Sequence, residues 1–128
     1  MAKVLLVDND ATTVSLLKIL LELDGHVVSV CSVPGNLLRA MQDEAPDLVL
    51  MDVFLTGADG LDLLRQLRSM PMYDSTPIVM TSGMELSEEC SRAGANGFLL
   101  KPYTPEHLSE TMKSQLDHQG PSASGGAR

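Results

Sequence analysis

The sequence predicts a doubly wound α/β domain, a parallel five-stranded sheet covered by helices on both faces. Five short, apolar, β-rich runs alternate with five longer segments whose apolar residues recur at helical spacing. The runs are oily throughout rather than alternating, as strands buried on both faces are. Strict β-α alternation implies right-handed crossovers, and therefore one parallel sheet. The 128 residues, 44% of them apolar, suffice for one domain with a real core and are too few for two ordinary ones.

Taken in order, the expected strands are residues 4–7, 27–31, 48–51, 78–80 and 98–100. After the first, Val14, Leu17, Leu20 and Leu21 mark one face of a helix; after the second, Leu37, Leu38 and Met41 do so. Leu61, Leu64 and Leu67 mark the third helix, Leu86, Cys90 and Ala93 a short fourth, and Leu108, Met112 and Leu116 the last. Gly25, Pro46, Pro77 and Gly97 punctuate the approach to strands, while Thr104 and Pro105 offer an N-cap and first-turn proline to the last helix. The domain is expected over residues 1–118. The remaining ten, "QGPSASGGAR", are rich in glycine and serine and are expected to form a disordered tail over 119–128.

Charge and cysteine usage narrow the function classes. Seventeen acids against nine basic residues give a net charge of -8, which repels nucleic-acid phosphates and anionic lipid, so neither is expected as a direct partner. Cys31 and Cys90 have neither metal-site spacing nor the density of a disulfide framework, and no apolar run is long enough to span a bilayer. Reduced thiols in a cytoplasmic protein are the expectation. His26, His107 and His118 are scattered and read as surface or packing residues.

In doubly wound folds, ligands bind beyond the carboxyl ends of the strands, so the residues closing each strand matter most. They are Asp8, Asn9 and Asp10 after the first, Asp52 after the third, Thr81 and Ser82 after the fourth, and Lys101 with Pro102 after the fifth. Crowded carboxylates require a hard cation or a proton, and oxygen-only ligands beside a phosphate favour Mg²⁺. Thr81 and Lys101 then serve as donors to phosphoryl oxygens. Each residue alone has an ordinary explanation: Asp8 to Asp10 as helix caps, Asp52 as a turn residue, Thr81 as a β-branched strand residue, Lys101-Pro102 as a strand stop, Phe98 as core. Their convergence on one sheet edge is what those explanations leave unaccounted for.

Four stretches, "LLVDND", "DLVLMDVFLTGADGLDLL", "IVMTSG" and "GFLLKPY", stand in order at the strand ends. Together they resemble the receiver domains of two-component response regulators, over residues 3 to about 116. The resemblance implies a flavodoxin-like sheet of order 2-1-3-4-5, and a phosphorelay switch rather than an enzyme. Asp52 would accept a phosphoryl group from a sensor histidine kinase or phosphotransfer protein, forming an acyl phosphate. Asp8, Asp52 and the backbone carbonyl of Phe54 would hold Mg²⁺, and Thr81 and Lys101 would contact the phosphoryl group. Lys101-Pro102 would be a cis peptide, and Thr81 with Phe98 would form the switch. The downstream protein would dock on the face of the fourth helix, fifth strand and fifth helix; a homodimer is left open. Phe54 and Gly83 occupy the positions that influence hydrolytic water, and slow self-dephosphorylation is expected.

Two departures stand out. Asn9 occupies the place of a second acid that is normally a direct metal ligand; its amide oxygen can still face Mg²⁺, but metal affinity is expected to fall. Thr56 replaces a favoured proline, so the loop after Asp52 is expected to be more mobile, although Gly60 is where the family has it.

Two rivals come from other classes. "VDNDAT" also fits the D-x-D-x-T motif of haloacid dehalogenase-type phosphohydrolases, with Asp8 as nucleophile and Asp10 as general acid. Against it, no later strand ends in the acidic pair needed to complete that metal site, there is no room for a cap domain, and Asp52 loses its role. The other is a pseudo-receiver, an interaction module working without phosphorylation, which Asn9 favours. A flavin site is set aside because the first loop is acidic rather than rich in glycine and hydroxyls.

Overall fold

The structure, a computed structural model, describes residues 2–118. The expected tail lies outside them. Five strands form one sheet: β1 (Lys3–Val7), β2 (Val27–Cys31), β3 (Leu48–Asp52), β6 (Ile78–Ser82) and β7 (Gly97–Leu100). Their spatial order is β2-β1-β3-β6-β7, all parallel. This is the doubly wound arrangement expected, with the reversal of strand order between β1 and β3.

The helices are α1 (Ala11–Leu23), α2 (Leu37–Glu44), α3 (Gly60–Arg68), α4 (Ser87–Ala93) and α5 (Pro105–His118). Alternation along each strand divides the interior in two. Leu5, Val7, Val49, Met51, Ile78 and Met80 face Leu37 and Met41 of α2, Leu64 and Leu67 of α3 and Cys90 of α4. Val4, Leu6, Leu48, Leu50, Val79 and Leu99 face Leu17 and Leu21 of α1 and Leu108 and Met112 of α5. Both cysteines are buried free thiols. Thr104 caps α5, its hydroxyl accepting from the His107 N–H at 3.0 Å. His107 is exposed, and His26 is half-buried with an Nδ1 that has no hydrogen-bond partner.

Three differences from the sequence expectation bear on the site. β3 and β6 run further at their carboxyl ends, so Asp52, Thr81 and Ser82 are strand residues rather than loop residues. Gly97 opens β7 instead of preceding it. The segment after Asp52 folds into a small antiparallel hairpin, β4 (Phe54–Leu55) against β5 (Ala58–Asp59), which no periodicity announced. Its turn is Thr56-Gly57, with Gly57 at φ 88°, the left-handed conformation that the second central position of such a turn demands.

Candidate functional site

The β1 and β3 ends flank the point where strand order reverses, and register sets what meets there. Val7 lies beside Met51, so Asp8 follows immediately alongside Asp52; Asp52 in turn is the register partner of Thr81, and Thr81 of Leu99. The Lys101 N–H extends the ladder by donating to the Ser82 carbonyl at 2.8 Å. The Lys101-Pro102 peptide that follows is cis. Four separate strands thus deliver Asp8, Asp52, Thr81 and Lys101 to one edge.

Asp8 and Thr81 are buried polar residues, and the Asp52 side chain is only 11% exposed. Asp52 Oδ2 accepts from the Lys101 ammonium at 3.0 Å, while Oδ1 accepts from the Phe54 N–H at 3.1 Å. Asp8 Oδ1 accepts from the Asp10 N–H at 2.9 Å. Burial pushes the Asp8 carboxyl above the ordinary aspartate value, opposed by that backbone N–H and reinforced by the charge of Asp52. Tyr103, half-buried against the α1 and α5 core, feels both carboxylates: burial, then Asp8 and Asp52, push its phenol up to about 12. Its coupling to their charge had no signal in the sequence beyond adjacency to Lys101-Pro102.

Asp10 turns away from this cluster. It is the N-cap of α1, its carboxylate accepting from both the backbone and the hydroxyl of Thr13, and those bonds hold its pKa below the ordinary value. Asn9 also turns aside: its Nδ2 donates to the Ser32 carbonyl and its Oδ1 accepts from the Thr56 N–H in the hairpin turn. The Phe54 ring is exposed and Gly83 borders the same edge from the loop after β6. Phe98 is half-buried and packs on the α2, α3 and α4 side of the sheet, opposite Met80 rather than Thr81.

Gly60 fixes how closely the loop returns to the acceptor strand. A Cβ there would sit 2.3 Å from the Asp52 carbonyl oxygen and 2.8 Å from Val53 Cα, both rigid backbone. With no side chain in the way, the Gly60 N–H reaches the Val53 carbonyl at 2.8 Å, and Asp59 caps α3 by accepting from the Leu61 N–H.

The donor set suits a hard cation. Among the described residues no three His, Cys, Asp or Glu side chains cluster as a metal site. Two carboxylates converge, however, with desolvation and mutual repulsion raising the Asp8 pKa, a strain that a cation relieves. Mg²⁺ is commonly held by one or two carboxylates, with water and phosphate oxygens completing its shell, so the residues present fit it.

Residues 4–113 match the response regulator receiver domain family. The chain belongs to that family. This receiver domain is 35% identical over 119 residues to the transcriptional regulatory protein CpxR of Klebsiella pneumoniae, covering 91% of the chain and 50% of the relative. It is 32% identical over 117 residues to the DNA-binding response regulator MtrA of Mycobacterium tuberculosis, covering 89% and 50%. Among solved structures, the CheY-like response regulator receiver domain protein of Methanospirillum hungatei superposes with a TM-score of 0.83 at 29% identity, covering 93% of this chain and 96% of that one. The receiver domain spans about half the length of the curated regulators it matches. MtrA is described as DNA-binding, so the charge argument against nucleic acid concerns these 128 residues and does not extend to proteins of MtrA's length. No helix among the described residues is long and apolar enough to cross a membrane.

Proposed function

We propose that the chain is a phospho-accepting switch whose acceptor is Asp52, supplied by a sensor histidine kinase or a phosphotransfer protein. The observation that carries this is the Asp52 carboxylate, nearly buried, adjoining Asp8 and paired with Lys101 at 3.0 Å. One Asp52 carboxylate oxygen attacks phosphorus, the new O–P bond forms as the donor's N–P bond breaks, and the electron pair leaves with the donor nitrogen. Lys101, which donates to Asp52 Oδ2, and Thr81, the register neighbour of Asp52, would meet the phosphoryl oxygens. Asp8, Asp52 and the Phe54 carbonyl would hold Mg²⁺, which when bound offsets the charge gathered by two carboxylates and a phosphoryl group.

The surroundings supply surfaces for both directions of signalling. Leu16, Ile19 and Leu23 form an exposed stripe at i, i+3 and i+7 on α1, whose N-terminus adjoins the site and could take a helix of the phosphoryl donor. Met84, in the loop before α4, and Leu100, at the end of β7, are exposed next to the proposed output face of α4, β7 and α5. The exposed Phe54 ring shields one side of the acyl phosphate, and Gly83 offers no group to orient water on the other, so self-dephosphorylation should be slow.

The test is intact mass after incubation with acetyl phosphate and Mg²⁺. A phosphoryl adduct on the wild type that is lost in Asp52→Asn supports the switch. Sustained turnover of a small phosphate ester, dependent on Asp8 and Asp10, supports the phosphohydrolase instead.

A further inference from the structure

Asn9 and Thr56, the two departures noted in the sequence, are joined in the structure. The Asn9 carboxamide is engaged at both ends, its Nδ2 donating to the Ser32 carbonyl after β2 and its Oδ1 accepting from the Thr56 N–H. Only an amide can do both, because a carboxylate has acceptors alone and would face the Ser32 carbonyl without a proton to share. The second bond also needs a residue with an N–H at position 56, which proline lacks. The two departures are therefore the two halves of one contact.

What the contact spans gives it a role. Residues 9 and 56 are far apart in sequence, and the hairpin they anchor begins at Phe54, two residues beyond Asp52. Gly60 holds the far end of that hairpin against Val53, so Asn9 supplies the restraint at its tip. We propose that Asn9 is a positioning residue that latches the acceptor loop without a metal ion, and that its side chain does not ligate the cation. The second clause rests on Asp52 being the metal-assisted phosphoryl acceptor; the latch itself does not.

Amide hydrogen exchange at Thr56, followed by NMR on the full chain, tests it. In metal-free protein the Thr56 amide should be protected, and Asn9→Ala should speed its exchange by about fivefold, the equivalent of one ordinary hydrogen bond. Thr56→Ala keeps the N–H and should leave protection at that position intact. Adding Mg²⁺ to the wild type should not change the rate. Calorimetric titration with Mg²⁺ provides the independent arm. Thr56→Pro places proline at the first central position of the turn, where it is accommodated, so the hairpin survives. Asn9→Asp alone should alter affinity little, since the Thr56 N–H still holds the new carboxylate; in the Asn9→Asp, Thr56→Pro double variant that carboxylate is released, and affinity should rise about tenfold. Faster Thr56 exchange on adding Mg²⁺, or exchange unaffected by Asn9→Ala, overturns the latch. A protected Thr56 amide in a protein that takes no phosphoryl group on Asp52 would retire the function reading and leave the latch standing.

Discussion

The Lys101 ammonium lies 3.0 Å from Asp52 Oδ2, joining the end of β7 to the end of β3 across the intervening strand β6. The lysine is one-third exposed and the aspartate nearly buried, so the pair falls between the surface case and the buried one. Lys101→Ala should therefore destabilise the protein by about 1 kcal/mol in urea unfolding and slow adduct formation with acetyl phosphate. Stability and adduct rate both equal to wild type would remove Lys101 from the site.

Asp8 carries the opposite sign of effect. Its pKa is raised above 3.8, chiefly by burial, so its protonated form favours the fold and the cost of ionising it appears as pH rises through the folded value. Asp8→Asn should raise the melting temperature of metal-free protein at pH 7 by about 3 °C. That gain should shrink on acidification and vanish below the unfolded value, where the wild-type carboxyl is protonated in both states. With saturating Mg²⁺ the order should reverse if Asp8 holds the cation as proposed, because the variant then loses a ligand. Melting curves across pH, with and without Mg²⁺, read both effects.

Gly60 separates packing from chemistry. Its missing side chain leaves the Asp52 and Val53 backbone where a Cβ would be, at 2.3 Å and 2.8 Å. Gly60→Ala must push the start of α3 away from the acceptor strand, at a cost of about 3 kcal/mol in denaturant unfolding. A loss well under 1 kcal/mol would mean that the loop yields freely.

How far the site could be read in advance depended on the range of each contact. The acids and the lysine were visible because strand ends are marked by where apolar runs stop, and one parallel sheet gathers those ends without further information. Asp10 was legible as a cap by position alone, next to the helix it starts. The hydrogen bonds of Asn9 were not legible, because its partners, Ser32 and Thr56, come from two distant loops that no periodicity connects. The hairpin at Thr56 was hidden for the same reason: without a proline there the chain keeps an N–H that meets Asn9. Tyr103 was equally hidden, since only the folded chain exposes its phenol to the charges of Asp8 and Asp52.

The switch prediction follows from charge. Phosphorylation of Asp52 adds roughly one further negative charge and new acceptor oxygens, drawing Thr81 and Lys101 toward them. Thr81 leads through Ser82 and Gly83 into α4, against whose side of the sheet Phe98 packs, so the change should travel into that helix and β7. On adding beryllofluoride and Mg²⁺, amide shifts should extend through residues 84–110. Shifts confined to the loop after Asp52 would contradict a switch at Thr81 and Phe98.

The most direct measurement is to locate the phosphoryl group chemically. After reaction with acetyl phosphate and Mg²⁺, borohydride reduces an aspartyl phosphate to the corresponding alcohol, leaving homoserine that peptide mass spectrometry can place. The account predicts homoserine at position 52 and nowhere else, with none in the Asp52→Asn variant. Homoserine at position 8, with residue 52 untouched, would contradict it and make Asp8 the nucleophile.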